Sequence, residues 1–426
     1  MVPDTASAPP PASALAGLTQ RLARNLAMQS VTQVMHLVIS IASVYVLTRE
    51  LTVAAYGGFN YMLAVIVFGL TLADLGVSTI LVREVVQAPE RTEPLVQSTL
   101  GLKVVMSVVP MAGAWALALL LLEGDVRWAV VIFSLTLPIQ AFTLPLVVLR
   151  ARVLIKRAAV AEVANRVTGF VLMLAAVYAG FGLVGAAVAL VIGEVAGLVA
   201  ILAITRAFVR PIPRVDLGAW RLILGASLTL GLVNVLGALV NRIDFFMLER
   251  MTSMEDVGVY GAAYRLPTLL ERLPLLAMGT IYPLMSGLAV RDPNGLRAVY
   301  HWTITRSALL AVPIVLVVSL TAPWIIALWN GPGYEGAVTP LRWLIWSTGC
   351  MYVSVIASNV LIALGRAHGA LSAWIVAAPA NVFLNLMWIP RYGATGAAAA
   401  TAASFAIAMG VSMWMAERHL SRAVRA

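Results

Sequence analysis

Charged side chains inside long apolar stretches are the residues of this 426-residue chain best suited to chemistry. Arg265 and Arg272 are seven residues apart, about two helical turns, and so project from nearly the same stripe of a helix. An arginine that faced lipid at mid-membrane would cost at least about 2.5 kcal/mol, so both are expected to face a cavity and bind an anion. Pro267 and Pro274 share the same spacing and predict a bend in the helix. The alternative is that these arginines are buried against acidic residues of other helices.

Four further charges in apolar stretches are candidate coupling or cavity charges, namely Asp74, Glu271, Arg242 and Asp244. Asp74 is expected to face the cavity or an arginine of another span, and the alternative is a purely structural ion pair. Glu271 adjoins Arg272, but neighbouring helix residues point about 100° apart, so it does not neutralise that arginine on its own face. Arg242 and Asp244 are two residues apart and do not share a face, and an interfacial or structural role is the alternative for them.

The sequence predicts no catalytic residue, no cofactor and no metal. A single cysteine, Cys350, and four scattered histidines provide neither a cysteine-based centre nor a dedicated metal site. Glycines 180, 182 and 185 match a dinucleotide-binding pattern, but that pattern requires a preceding strand, and here it joins two apolar stretches. We therefore interpret it as a tight turn. The short connections between apolar stretches leave no room for a soluble catalytic domain.

The elements that must position these charges are membrane helices. Hydrophobic residues make up 61% of the chain and charged residues only 11%, and the mean hydropathy is +0.93, whereas soluble domains contain about 25% charged residues. A membrane helix needs about 20 largely apolar residues. On that basis we predict an all-α polytopic membrane protein with about twelve spans, at 25–48, 56–82, 98–122, 127–149, 160–180, 183–206, 219–247, 257–289, 300–329, 337–364, 368–389 and 394–417.

The distribution of the 29 lysines and arginines predicts the orientation of the chain. Most of them lie on the side of the membrane that also holds both termini, and this side is expected to be cytoplasmic by the positive-inside rule. The net charge of +10 is explained by this orientation and predicts no nucleic-acid partner. Residues 1–20, rich in Ala and Pro, are predicted to form a disordered cytoplasmic tail.

An internal repeat divides the spans into two halves of six. Residues 181–189 are similar to 392–400, and each segment joins the last two spans of its half. Residues 55–57 resemble 259–261, and each opens the second span of its half. Such a duplication is typical of transporters that alternate access around a central cavity. It predicts two six-helix bundles at 21–206 and 219–417, a cytoplasmic linker at 207–218 and a cytoplasmic tail at 418–426.

A set of short motifs in a fixed order carries a resemblance to a known family. The motifs are Tyr56–Phe59, Asp74–Gly76, Arg83–Glu84, Asp244, Val257–Tyr260, Tyr282–Pro283 and Gly393–Ala398. The chain resembles the O-antigen and exopolysaccharide flippases of the multidrug/oligosaccharidyl-lipid/polysaccharide exporter superfamily. The resemblance implies a MATE-like fold, with two bundles around a central cavity in the bacterial inner membrane. It also implies a polyprenyl-diphosphate-linked glycan as substrate, moved by alternating access, and glycan polymerase or glycosyltransferase partners.

The same resemblance suggests which residues meet the substrate. Arg272 is expected to contact its diphosphate, with Arg265 as a second contact and Arg24 as a third at the start of the first span. A lipid II flippase is the less favoured alternative, because the second span has no internal arginine and only twelve spans are found. A cation-coupled exporter of small amphipathic molecules is another, although the first span contains no acid. A membrane-embedded glycan polymerase, ligase or acyltransferase would need larger loops.

Overall fold

The computed structural model describes residues 35–151 and 155–425, and within these ranges the chain is helical and contains no strand. The described part of the first half holds nine α-helices. They are α1 (35–50), α2 (Val53–Asp74), α3 (Val77–Gln87), α4 (Thr92–Leu121), α5 (Gly124–Ser134), α6 (Thr136–Ala141), α7 (Leu146–Ala151), α8 (Ile155–Tyr178) and α9 (Gly182–Thr205). The predicted tail at 1–20 lies outside the described residues.

The second half holds six α-helices within the described residues. They are α10 (Leu217–Met251), α11 (Met254–Leu270), α12 (Arg272–Arg291), α13 (Pro293–Trp329), α14 (Val338–Ala363) and α15 (Ala367–Arg425). Helix α15 covers two predicted spans and is kinked at Gly393, where φ is +52°. Eight helical stretches of the described chain are long and apolar enough to cross a membrane. The protein is therefore an all-α, multi-pass membrane protein, as predicted.

Three predicted spans are interrupted in the structure. The second breaks after Asp74, where Leu75 has a φ of +40° and Gly76 one of +77° before α3 begins. The fourth is divided into α5, α6 and α7, and Pro138 and Pro145 fall in this region, where proline cannot donate a backbone hydrogen bond. The eighth breaks at Glu271, between the two prolines that predicted a bend.

The two halves meet where α2 packs against α10 and α11. Glycine permits the close approach of α2 and α11, because a Cβ atom at Gly57 would lie 2.0 Å from the carbonyl oxygen of Met254. A Cβ atom at Gly258 would lie 2.2 Å from the carbonyl oxygen of Val53. The largest buried apolar cluster spans the same junction and includes residues of both halves. The exact domain boundaries at 206 and 219 remain predictions.

Candidate functional site

A central cavity of about 350 Å³ lies among the helices of both halves. Its wall is formed by residues of α1, α2, α5 and α8–α12. Four arginines line it, namely Arg166 from α8, Arg242 from α10, Arg265 from α11 and Arg272 from α12. The cavity is therefore rich in cationic groups, although the surrounding helices are apolar.

Arg265 and Arg272 both reach this cavity despite the helix break between them. Helix α11 ends at Leu270, whose carbonyl oxygen accepts a hydrogen bond from the Tyr352 hydroxyl over 2.9 Å. Helix α12 then begins at Arg272. The Nε atom of Arg265 is buried and has no hydrogen-bond partner among the described residues. Such a donor is costly unless an acceptor, such as a substrate anion, satisfies it.

Arg242 also lines the cavity, with its guanidinium carbon 5.4 Å from the centre of the Tyr264 ring. The Tyr264 hydroxyl donates to the carbonyl oxygen of Asn241 over 3.1 Å, so the ring is fixed beside the arginine. From the sequence alone, the spacing of four residues between Glu162 and Arg166 indicates an ion pair along one helix face. The structure places Arg166 in the cavity wall, and local spacing gave no signal for this.

A second cavity of about 500 Å³ adjoins the first and shares four lining residues with it, namely His36, Asn165, Arg166 and Glu194. Asp74 lines this second cavity, and the Nζ atom of Lys103 lies 2.8 Å from its carboxylate. The Ser78 hydroxyl donates to the same carboxylate oxygen. Asp74 thus lines the second cavity and not the central one, and its basic partner is a lysine of α4 rather than an arginine.

Asp244 does not line either cavity but lies fully buried within the second half. Its carboxylate accepts hydrogen bonds from the Tyr260 hydroxyl over 2.5 Å and from Nδ2 of Asn385 over 2.6 Å. The Thr401 hydroxyl also donates to it. These bonds join α10, α11 and α15. The expectation of a cavity charge is therefore wrong for Asp244, because its partners on other helices hold it inside the bundle.

The other predicted site residues have separate positions. Glu271 is half-buried at the break between α11 and α12 and lines neither cavity. It is therefore not a charge of either cavity wall. Arg24 lies outside the described residues.

Sequence reasoning placed Glu194 inside a span but assigned it no role, and its carboxylate accepts hydrogen bonds from two side-chain amides. Nε2 of Gln140 donates to its Oε2 atom over 2.6 Å, and Nδ2 of Asn165 donates to the same atom over 3.1 Å. The partners are separated from Glu194 by 54 and 29 residues, so no local pattern indicates them. The pairing of Lys103 with Asp74 had no local signal either, because the two residues are 29 positions apart.

The family of the chain follows from a model that matches residues 46–339, well over half of its length. That model describes polysaccharide biosynthesis proteins. The chain belongs to the polysaccharide biosynthesis protein family. This polysaccharide biosynthesis protein is 26% identical over 172 residues to Agl15 of Haloferax volcanii, a probable low-salt glycan biosynthesis flippase. The match covers 40% of the chain and 36% of that relative, so it spans little more than a third of the relative's length.

Two solved structures share the fold of this polysaccharide biosynthesis protein. The lipid II flippase MurJ in an inward closed conformation has a TM-score of 0.77 at 10% identity, over 92% of this chain and 89% of that one. An inward-facing MATE multidrug resistance transporter of the MOP superfamily has a TM-score of 0.71 at 18% identity, over 90% of this chain and 95% of that one. The fold is therefore the one found in MOP superfamily transporters.

Proposed function

We propose that this protein is a flippase for a polyprenyl-diphosphate-linked oligosaccharide, an O-antigen or exopolysaccharide repeat unit. It would move this lipid across the bacterial inner membrane, with both termini in the cytoplasm. The observation that carries the proposal is the arginine-lined cavity inside the membrane-spanning fold of a polysaccharide biosynthesis protein. The flippase description of the Haloferax volcanii relative supports it.

The cavity offers the hydrogen-bond donors that a diphosphate and its sugars would lack in the hydrocarbon of a bilayer. These groups cannot cross hydrocarbon unaided, because their hydrogen bonds to water would be lost without replacement. Arginine presents paired donors that match phosphate oxygens, and the cavity contains four of them. We propose that Arg272 and Arg265 bind the diphosphate, which would provide the acceptor that the buried Nε atom of Arg265 lacks. Arg24 stays a proposed third contact.

Helices that bend beside the cavity are one means of alternating access. The second span of each half is interrupted in this way, at Leu75–Gly76 between α2 and α3 and at Glu271 between α11 and α12. We propose that these two breaks act as hinges while the cavity opens to one side and then to the other. The interruption at Glu271 would also move Arg272 relative to Arg265, since it separates the helices that carry them.

Asp74 and Arg242 remain proposed cavity charges, and Asp244 and Glu271 remain proposed coupling charges. Asp244 is the strongest coupling candidate, because a fully buried carboxylate with neutral hydrogen-bond donors is costly unless it binds a proton or a cation. Asp74 lines the second cavity beside Lys103, and Arg242 lines the first. Glu271 lies at the helix break, so a movement of α12 would change the surroundings of its carboxylate.

The test is transport by variants of Arg272. Purified protein in proteoliposomes should move a fluorescent polyprenyl-diphosphate-linked sugar between leaflets, and Arg272→Ala should abolish this movement. Arg272→Lys keeps the charge but loses the paired donors, so its rate should lie between the two. Arg291→Ala is the matched control, since Arg291 is the last residue of α12 and lines neither cavity. Wild-type rates in Arg272→Ala, or drug export without movement of the lipid-linked sugar, would refute the proposal.

A further inference from the structure

The junction of the two cavities has a composition unlike that of the arginine-rich wall. We define the junction cluster as His36 of α1, Gln140 of α6, Asn165 of α8 and Glu194 of α9. His36, Asn165 and Glu194 line both cavities, and Gln140 lines the second. All four residues come from the first half of the chain, whereas three of the four cavity arginines come from α10, α11 and α12. The two groups of side chains therefore belong to different halves of the chain.

The junction cluster retains hydrogen-bonding capacity toward the cavities. Both amide donors, from Gln140 and Asn165, bond to the Oε2 atom of Glu194. The Oε1 atom of Glu194 accepts no hydrogen bond from the part of the chain that the structure describes. The Nε2 atom of His36 is buried and has no partner among the same residues. One strong acceptor and one imidazole nitrogen are thus left for a bound molecule.

Close packing of α8 and α9 holds this arrangement in place. A Cβ atom at Gly193 would lie 2.6 Å from the Cα atom of Gly169. A Cβ atom at Gly197 would lie 2.5 Å from the Cβ atom of Asn165. Because glycine brings the two helices this close, Asn165 is pressed against the helix that carries Glu194. A polar group fixed by neighbouring backbone is pre-organised for ligand binding.

We propose that the junction cluster is a sugar-binding subsite, which recognises hydroxyl groups of the glycan while the arginines hold its diphosphate. A sugar hydroxyl both donates and accepts, so it can donate to Oε1 of Glu194 and accept from an amide or imidazole N–H group. Phe133 and Phe170 line the first cavity and offer aromatic faces to the apolar face of a sugar ring. This inference rests on the proposed flippase function and adds a division of the substrate between the two halves.

Other ligands fit the junction cluster less well. A metal ion prefers oxygen ligands, but Gln140 and Asn165 both turn their N–H groups toward the carboxylate. An organic cation would meet Arg166, which lines both cavities beside the cluster. A second anion would be repelled by the carboxylate of Glu194. A neutral polyhydroxyl group meets none of these objections.

Binding measurements on purified, full-length protein in nanodiscs test the inference. The probes are polyprenyl diphosphate and the same lipid carrying glucose, galactose or N-acetylglucosamine. We expect at least one sugar-bearing lipid to bind the wild type about tenfold to hundredfold more tightly than polyprenyl diphosphate, the effect of one hydrogen bond to a charged group. Glu194→Ala should remove this difference without weakening the binding of polyprenyl diphosphate, because the lost carboxylate repels that anion. Glu194→Gln, which keeps a neutral acceptor, should retain part of the difference.

Glu249→Gln is the matched control, because Glu249 is a half-buried glutamate of α10 that lines neither cavity. It should keep both affinities, and Arg272→Ala should lose both. The inference is overturned if no sugar-bearing lipid binds more tightly than polyprenyl diphosphate. It is also overturned if both Glu194 variants, monodisperse on gel filtration, weaken the two kinds of lipid equally or leave the difference intact. Failure of the wild type to bind polyprenyl diphosphate at all would instead refute the proposed flippase function.

Discussion

The glycine contact between α2 and α11 allows a quantitative prediction for Gly258→Ala. The new Cβ atom would lie 2.2 Å from the carbonyl oxygen of Val53, whereas ordinary contact begins at 3.4 Å. The obstacle is backbone, which cannot rotate away, so the two helices must separate by about 1 Å. Such overpacking costs about 1–3 kcal/mol. Without this clash the substitution would raise the stability of the folded protein by about 0.5–1 kcal/mol, because alanine favours a helix more than glycine does.

Gly225→Ala in α10 is the matched control, because its Cβ atom would have no heavy atom within 4 Å. Gly225→Ala should gain stability from the higher helix propensity of alanine and should suffer no clash, so it should melt at or above the wild-type temperature. Gly258→Ala should melt several degrees below it. A thiol-reactive dye can report unfolding, since the single cysteine, Cys350, is only partly exposed in the folded chain. If Gly258→Ala melted as high as Gly225→Ala, the close contact between α2 and α11 would be refuted.

Three further predictions concern the charges of the site. Lys103→Met should leave Asp74 without its cationic partner and lower the melting temperature. Adding Asp74→Asn should restore part of the lost melting temperature, and equal melting of the single and double variants would contradict the ion pair. Arg265→Ala should leave stability unchanged or raise it, because it removes a buried donor that has no partner among the described residues. Flipping of the lipid-linked sugar in proteoliposomes should fall at least about tenfold, and unchanged flipping would exclude Arg265 from substrate binding. Asp244→Asn should keep the fold but make flipping insensitive to proton and sodium gradients, and an unchanged gradient dependence would rule out Asp244 as the coupling charge.

Several features of this protein could be predicted from the sequence because a local rule governs them. Lipid requires every backbone group to bond within a helix, so runs of about 20 apolar residues predict spans directly. The placement of Arg265 and Arg272 in a cavity followed from the cost of a guanidinium in lipid. The bend near Glu271 followed from Pro267 and Pro274. Each inference needed only neighbouring residues and the properties of the bilayer.

Only the tertiary structure decided which charged groups meet. Asp74 is paired with Lys103, 29 residues away, and Asp244 accepts a hydrogen bond from Thr401, 157 residues away. Helical spacing shows which face a residue occupies but not which helix packs against that face. The spacing of Glu162 and Arg166 therefore indicated an ion pair, and only the packing of the helices showed that Arg166 lines the cavity. Asp244 was expected to be a coupling or cavity charge, but donors from α11 and α15 hold its carboxylate inside the bundle. The packing of the helices, and not the distance along the sequence, sets which side chains become partners.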